Sequence, residues 1–311
     1  MLKKIYNSTK NNSFLGKPLN FILMKSYPLF YFKNLMFDPS ALKIDPELYK
    51  LIKNLQLNPK IPLFRDRLHE IEEFFSISHF GLIKYYLTKG GFPNTPKAGQ
   101  VLIDFFEHRT TTDKELKEAY TDAAFHYSVR LMLGYEKFRF IIPYVNLIKS
   151  NTEIPLKDFK VLDYGCGLAD MSLLFAALGA KVTLVDLDDK KYEFAIWRFK
   201  KRGYKPNVIK IKNTADYAEL PKSEYNLIFA TEIFEHVRDP LILLKNLTKS
   251  LNVNGFMIDS MGGVFERELV GDHLEEALKI GKSKEYSKYY NEHYKQILMK
   301  KELPCLFKRV K

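Results

Sequence analysis

The sequence predicts an α/β fold: a mostly parallel sheet with helices on both faces, preceded by a helical N-terminal region. Three observations lead there. Beyond about residue 150, short β-rich apolar runs alternate with helical segments, the pattern of a parallel sheet wrapped by helices. Before that point, apolar residues recur at helical spacing, with no strand–turn–helix unit and no internal repeat. Between the two, a strand runs through a glycine turn into a helix, and an acid closes the strand that follows.

The elements are read in chain order. Residues 1–40 mix Lys, Asn, Ser and aromatics without periodicity and read as an irregular arm. Asp45-Pro46-Glu47 pairs an N-cap with proline at the first helical position and opens a short helix to about Leu57. From Leu63 to Lys89, Leu68, Ile71, Phe74, Phe75, Ile77 and Leu82 mark a helical face that Gly90-Gly91-Phe92-Pro93 breaks. Helical runs follow at 98–108 and 113–149, the second kinked near Gly134 and Pro143. The expected strands are Lys160–Tyr164, Lys181–Val185, Val208–Ile211, Tyr225–Ala230 and Gly255–Ser260, with a last one at Cys305–Val310. Residues 1–150 are therefore expected to be an arm plus helices that form a lid or pack on the sheet, and residues 151–311 the α/β domain.

Composition narrows the class. Of 311 residues, 46% are hydrophobic and 28% charged, which fits a globular chain and excludes collagen, coiled coil and disorder. No run of apolar residues is long enough to span a bilayer. Two cysteines, Cys166 and Cys305, make neither a disulfide framework nor a four-cysteine zinc site, and point to the cytoplasm. The formal charge of +12 sits at the ends: residues 1–60 carry ten Lys against three acids, and residues 280–311 nine Lys/Arg against three Glu. Such segments read as solvated lysine-rich tails before they read as polyanion-binding surfaces.

The strongest signal is Val161-Leu162-Asp163-Tyr164-Gly165-Cys166-Gly167-Leu168-Ala169-Asp170, leading into an apolar helix at Met171–Leu178. Glycines let a ligand lie against bare backbone at the carboxyl edge of a sheet. Asp186 ends the next strand nineteen residues after Gly167, near the spacing of an acid that grips ribose hydroxyls. Asp163 and Asp170 flank the turn, a charge pattern that repels pyrophosphate and suits a ligand carrying an ammonium and a sulfonium.

Over residues 155–262 the chain resembles the class I S-adenosylmethionine-dependent methyltransferases, whose fold is Rossmann-like. The resemblance implies S-adenosylmethionine as cofactor. It puts Asp163 on the methionine part, Gly165 and Gly167 in close approach, Asp186 on the ribose and Asp216 on the adenine amino group, and Thr231 joins this set. Two positions depart: Ala169 stands where a third glycine is frequent, and Asn226 where an acid commonly opens the fourth strand.

That strand runs into Thr231-Glu232-Ile233-Phe234-Glu235-His236-Val237-Arg238-Asp239-Pro240. In a helical turn Glu232, Glu235 and His236 share a face. Three roles stay open for them: a divalent cation site, packing beneath the cofactor, or a general base at His236 or His273. Glu-x-x-Glu-His here resembles the ubiquinone-pathway O-methyltransferases and the small-RNA 2′-O-methyltransferases. That likeness implies a divalent cation such as Mg²⁺ on Glu232, Glu235, His236 and His273, binding the acceptor's hydroxyls.

The acceptor is less legible. Phe105, Phe106, Tyr120, Phe125, Tyr127, Tyr135, Phe138 and Phe140, with His108 and His126, line 100–145 and are expected mainly to pack, His126 as a buried, hydrogen-bonded side chain. Phe265, His273, Tyr286, Tyr289, Tyr290, His293 and Tyr294 are expected to form an acceptor wall. The function expected is S-adenosylmethionine-dependent methyl transfer to a small-molecule acceptor, at a hydroxyl. An RNA methyltransferase using the basic ends and a non-catalytic S-adenosylmethionine-binding subunit are the alternatives. Nothing in the sequence sets an oligomeric state.

Overall fold

Strands buried on both faces read as mainly apolar runs, and Lys160–Tyr164 (β1) is buried in all but its first residue, Asp163 included. In the computed structural model, which describes residues 67–85, 88, 106, 112–132, 144–260, 273–300 and 303–311, β1 is an interior strand of a seven-stranded sheet. Around it lie Lys181–Leu187 (β2), Asn207–Ile211 (β3), Tyr225–Ala230 (β4), Leu251–Asp259 (β5), Tyr294–Lys300 (β6) and Leu303–Arg309 (β7). Their order is β3-β2-β1-β4-β5-β7-β6. The first five are parallel, and β7 runs antiparallel to both β5 and β6. The α/β reading, a mostly parallel Rossmann-like sheet, is borne out.

Period-two alternation divides the sheet's side chains between two layers. Val161, Val182, Leu184, Leu227, Phe229 and Ile258 meet a helical stretch at 144–150 and Asp170–Ala177. Lys190–Lys201 completes that layer through Tyr192, Ala195 and Phe199. On the opposite face Leu162, Tyr164, Val185, Ile228 and Met257 meet Pro240–Ser250, Glu275–Gly281 and Lys284–His293. With Arg67–Phe75, His79–Tyr85 and Asp113–Met132 counted first, these helices are α1 to α8 in chain order, the 144–150 stretch left unlabelled.

Several boundaries move for local reasons. The helix expected over Leu63–Lys89 breaks at Ser76, whose left-handed φ of 54° ends α1 before α2 begins. β2 runs two residues further than its apolar stretch, so Asp186 lies within the strand. β5 starts at Leu251, directly from the last turn of α6. Asn226 keeps a structural role where an acid is usual: its Oδ1 accepts the Lys160 N–H at 2.9 Å.

The acceptor wall expected in the C-terminal part is corrected. Tyr286, Tyr290 and Tyr294 are buried core residues that pack with one another, and Tyr290 and Tyr294 also meet Phe307. Tyr294 opens β6, a strand its mixed sequence does not announce. Nor are residues 280–311 a tail: they build α8, β6 and β7, and lysines on the edge strand discourage pairing with another chain. The arm at 1–40, the helix from Asp45 and the aromatics Phe105, Tyr135, Phe138, Phe140 and Phe265 lie outside the described residues, as does His108.

Asp239 accepts the N–H groups of Leu241 and Ile242 ahead of Pro240, the expected cap, and Leu243, Leu244 and Leu247 bury the face of α6 against the sheet. Leu244→Ala should cost roughly 2–5 kcal/mol of unfolding free energy, because a fully buried side chain leaves a cavity. Urea titration checks this.

Candidate active site

The turn after β1 is held by β2. Gly165 and Cys166 both donate their backbone N–H to the Val185 carbonyl, at 2.8 and 3.2 Å. Gly167 donates its N–H to Asp186 Oδ2 at 2.7 Å. Gly165 and Gly167 have φ of 68° and 55°, a left-handed backbone that strains other residues. A Cβ on Gly165 would stand 2.8 Å from Ile233, whereas at Gly167 it would meet nothing within 4 Å. One glycine is thus required by packing, and the other borders open space at the sheet's carboxyl edge.

Asp163 is buried and accepts a hydrogen bond from Ser172 Oγ at 2.6 Å. Asp186 also accepts the Leu187 N–H through Oδ1, 3.7 Å from Lys191 Nζ. Asp216 is exposed beyond β3, where its Oδ2 accepts from Asn213 Nδ2 at 3.0 Å. Nearby, Ala218 donates its N–H to Tyr164 Oη, whose proton burial holds on up to about 12. Asp170 does not face a ligand as the charge argument expected, because it is 2.8 Å from the fully buried guanidinium of Arg198.

Beyond β4 the chain does not enter a regular helix. Thr231 is half-buried, and Glu232 takes a left-handed φ of 55°, so the shared helical face expected for Glu232, Glu235 and His236 does not form. Glu232 is exposed, its N–H donating to Ser260 Oγ at 2.7 Å. Phe234–His236 then makes one 3₁₀ turn that carries Glu235 inward. Glu235 is fully buried, and neither carboxylate oxygen has a hydrogen-bond partner among the described residues. Its backbone carbonyl accepts the N–H of Leu274, which brings the neighbouring His273 alongside. One ligand atom each of Glu235, His236 and His273 lie within 4.8 Å of one another, and the two imidazole rings stand 5.2 Å apart. Glu232 is outside that group.

Helix α3 borders the same edge. Asp113 accepts from Thr214 Oγ1 at 3.0 Å and from Arg238 Nε at 3.1 Å, while Arg238 also pairs with Glu276 of α7. Lys117 Nζ donates to the Lys212 carbonyl, and Leu116, Ala119 and Ala123 cluster with Leu274 and Ala277. α3 therefore meets the segments that follow β3, β4 and β5. His126, on this helix, is buried and hydrogen-bonded to Tyr85 Oη, as expected.

The profile of the methyltransferase domain family matches residues 133–309, more than half of the chain. The chain belongs to the methyltransferase domain family. The ubiquinone biosynthesis O-methyltransferase of Pelagibacter ubique is 35% identical over 118 residues, covering 36% of this chain and 47% of that protein. The one from Nitrosomonas europaea is 31% identical over 105 residues, covering 34% and 44%. The chain spans about half the length of the curated relatives it matches. Among solved structures, an S-adenosylmethionine-dependent methyltransferase from Aquifex aeolicus aligns at a TM-score of 0.39 and 16% identity, over 56% of this chain and 92% of that one. The resemblance read from the glycine turn is borne out at the level of the methyltransferase family.

A buried acid beside the turn has a measurable pH signature. Asp189 caps α5, its Oδ1 accepting the Tyr192 N–H, and burial pushes its carboxyl from 3.8 up to about 6, opposed by Lys191 and reinforced by Asp186. The folded protein thus holds a proton that the unfolded chain releases, so this group's stabilising contribution is full below about pH 4 and is lost as pH rises through 6. Asp189→Asn removes the titration. In urea unfolding at stepped pH, wild type should lose stability relative to this variant between pH 4 and about 6.5; parallel curves would refute the assignment.

Proposed function

We propose that this methyltransferase-family chain transfers the methyl group of S-adenosylmethionine to a hydroxyl of a small molecule. The observation that carries the reading is the Gly167 N–H held on Asp186, with open space where a Gly167 side chain would be. The residues present fit the donor. Asp186 keeps acceptor capacity on both oxygens for ribose hydroxyls, and Asp163 adds negative charge beneath the turn while Asp170 is neutralised by Arg198. The names of the O-methyltransferase relatives support a hydroxyl acceptor. Asp216 is read as the adenine contact and Thr231 as a flank of the same pocket.

When bound, the sulfonium supplies an already activated methyl group, so the protein's work is alignment and exclusion of water. Gly167 lets backbone approach the donor while Gly165 keeps the turn packed on Ile233, and α3 borders the edge where the acceptor would enter. A hydroxyl acceptor has to lose its proton, and without a bound cation the ring nitrogens of His236 and His273, grouped with Glu235, would accept it.

We further read Glu235, His236 and His273 as ligands of a divalent cation that would acidify this hydroxyl. A fully buried carboxylate without a hydrogen-bond partner among the described residues is costly unless a positive charge meets it. With one carboxylate and two imidazoles, and Glu232 outside the group, the donor set suits an ion that accepts imidazole readily, such as Zn²⁺ or Fe²⁺, better than the Mg²⁺ the sequence suggested.

Calorimetry on the full chain should show binding of S-adenosylmethionine and its demethylated product and none of NADH. Asp186→Ala should weaken donor binding at least about tenfold. Binding of NADH alone would reject the donor. For the cation, wild type at a hundredfold excess over Kd should gain about 2.7 kcal/mol of stability, and Glu235→Gln should gain none. Activity and stability indifferent to chelator would remove the cation from the mechanism.

A further inference from the structure

Arg198 has no exposed side-chain surface and joins three distant parts of the chain. Its Nε donates to Glu70 Oε2 of α1 at 3.0 Å. Its Nη1 is 2.8 Å from Asp170 Oδ1, at the start of α4, and also donates to the Leu168 carbonyl. Just past the end of α5, Arg202 pairs with the other oxygen of Glu70. Two guanidiniums and two carboxylates thus balance inside the protein, which is the condition under which buried charges are tolerated.

Leu168, Ala169 and Asp170 complete the glycine turn, and Ala169 is left-handed there, with a φ of 57° and no glycine to relieve it. β2 holds the front of the turn through Val185 and Asp186. Its back is held by Arg198, and Arg198 is in turn oriented by Glu70. Glu70 belongs to the N-terminal helices, outside the matched family segment at 133–309. Phe74 and Phe75 of the same helix pack on Phe194 of α5 at 4.9 and 5.4 Å between ring centres, so the helix cannot shift without moving Arg198's own support.

We propose that the Glu70–Arg198–Asp170 bridge sets the shape of the donor-binding turn, making Glu70 and Arg198 positioning residues and α1 a working part of the donor site. The proposal rests on the donor reading above. An ion pair with a merely structural role would change overall stability and leave both the turn and the donor affinity alone.

The test measures donor affinity by calorimetry and amide exchange across residues 165–170 by mass spectrometry, on the full chain. Arg198→Met risks unfolding, since it leaves two buried carboxylates unpaired. Glu70→Gln keeps the shape and removes the charge, so it is the deciding variant. At a temperature where Trp197 fluorescence reports the native fold, its affinity for S-adenosylmethionine should fall about tenfold. In the ligand-free variant, exchange should quicken at the turn and not elsewhere. Wild-type affinity, or exchange at the turn no faster than wild type, overturns the proposal, and so does a rise spread evenly over the chain. Should Glu70→Gln not fold, Glu70→Asp, one methylene short of the bridge, is read the same way. If wild type binds neither the donor nor its product, the donor reading fails by itself, and exchange in ligand-free protein still decides the bridge.

Discussion

The hydrogen bond from the Gly167 N–H to Asp186 is the constraint on which the site depends. It closes a loop of nineteen residues between the end of β1 and the end of β2. With the two N–H groups on Val185, it makes the turn a continuation of the sheet instead of a free connection. Because Asp186 is at once a clamp for the turn and a strand residue at the carboxyl edge, the acid and the bare backbone keep a fixed spacing. A ligand that needs both meets them preorganised, and the ordering entropy is met in folding instead of in binding.

Buried charge is handled in two opposite ways around this clamp. Behind the turn, Arg198 and Arg202 meet Glu70 and Asp170, and each charge faces its opposite at hydrogen-bonding distance. In front of it, Glu235 is just as buried but has no hydrogen-bond partner among the described residues, beside two imidazoles. Desolvating a carboxylate costs several kcal/mol in either setting, of the order of the whole stability of a domain. A fold keeps such a group uncompensated where something outside the chain completes it. On the readings proposed above, the first arrangement supports shape and the second is where an ion would complete the site.

The parts of this architecture that sequence made legible are those written locally. β1 and β4 fall on their expected residues because each is a short, mainly apolar run, interrupted inside only by Asp163 and Asn226 respectively. The glycine turn, Asp186 and the Asp239-Pro240 cap are likewise read from neighbours along the chain. What stayed hidden depends on partners far away. Nothing around Arg198 reveals that Glu70, 128 residues earlier, lies against it. Asp170 looked like a ligand for a cation because Arg198 could not be seen. Glu232 looked like a metal ligand because helical spacing was assumed where a left-handed residue breaks the helix. Tyr286, Tyr290 and Tyr294 belong to an aromatic-rich connection that reads as an acceptor wall, yet they join α8 and β6 to the core.

Whether the N-terminal helices pack or cover is a choice that α3 dissolves. Its first turn is locked by a Thr112–Glu115 capping box, in which each residue accepts the other's backbone N–H. From there Asp113 reaches Thr214 and Arg238, and Lys117 reaches Lys212. Further along, Ala119 and Ala123 join the cluster around Leu274 and Ala277. Val129 joins the cluster that holds Leu168 and Phe194. A helix fixed at one end to the segments after β3 and β4, and at the other to the layer beneath the glycine turn, has to pass over the edge between them. On the reading proposed above, any cover that α3 gives the site is a consequence of this ordinary packing, and the residues that make it are these same anchors.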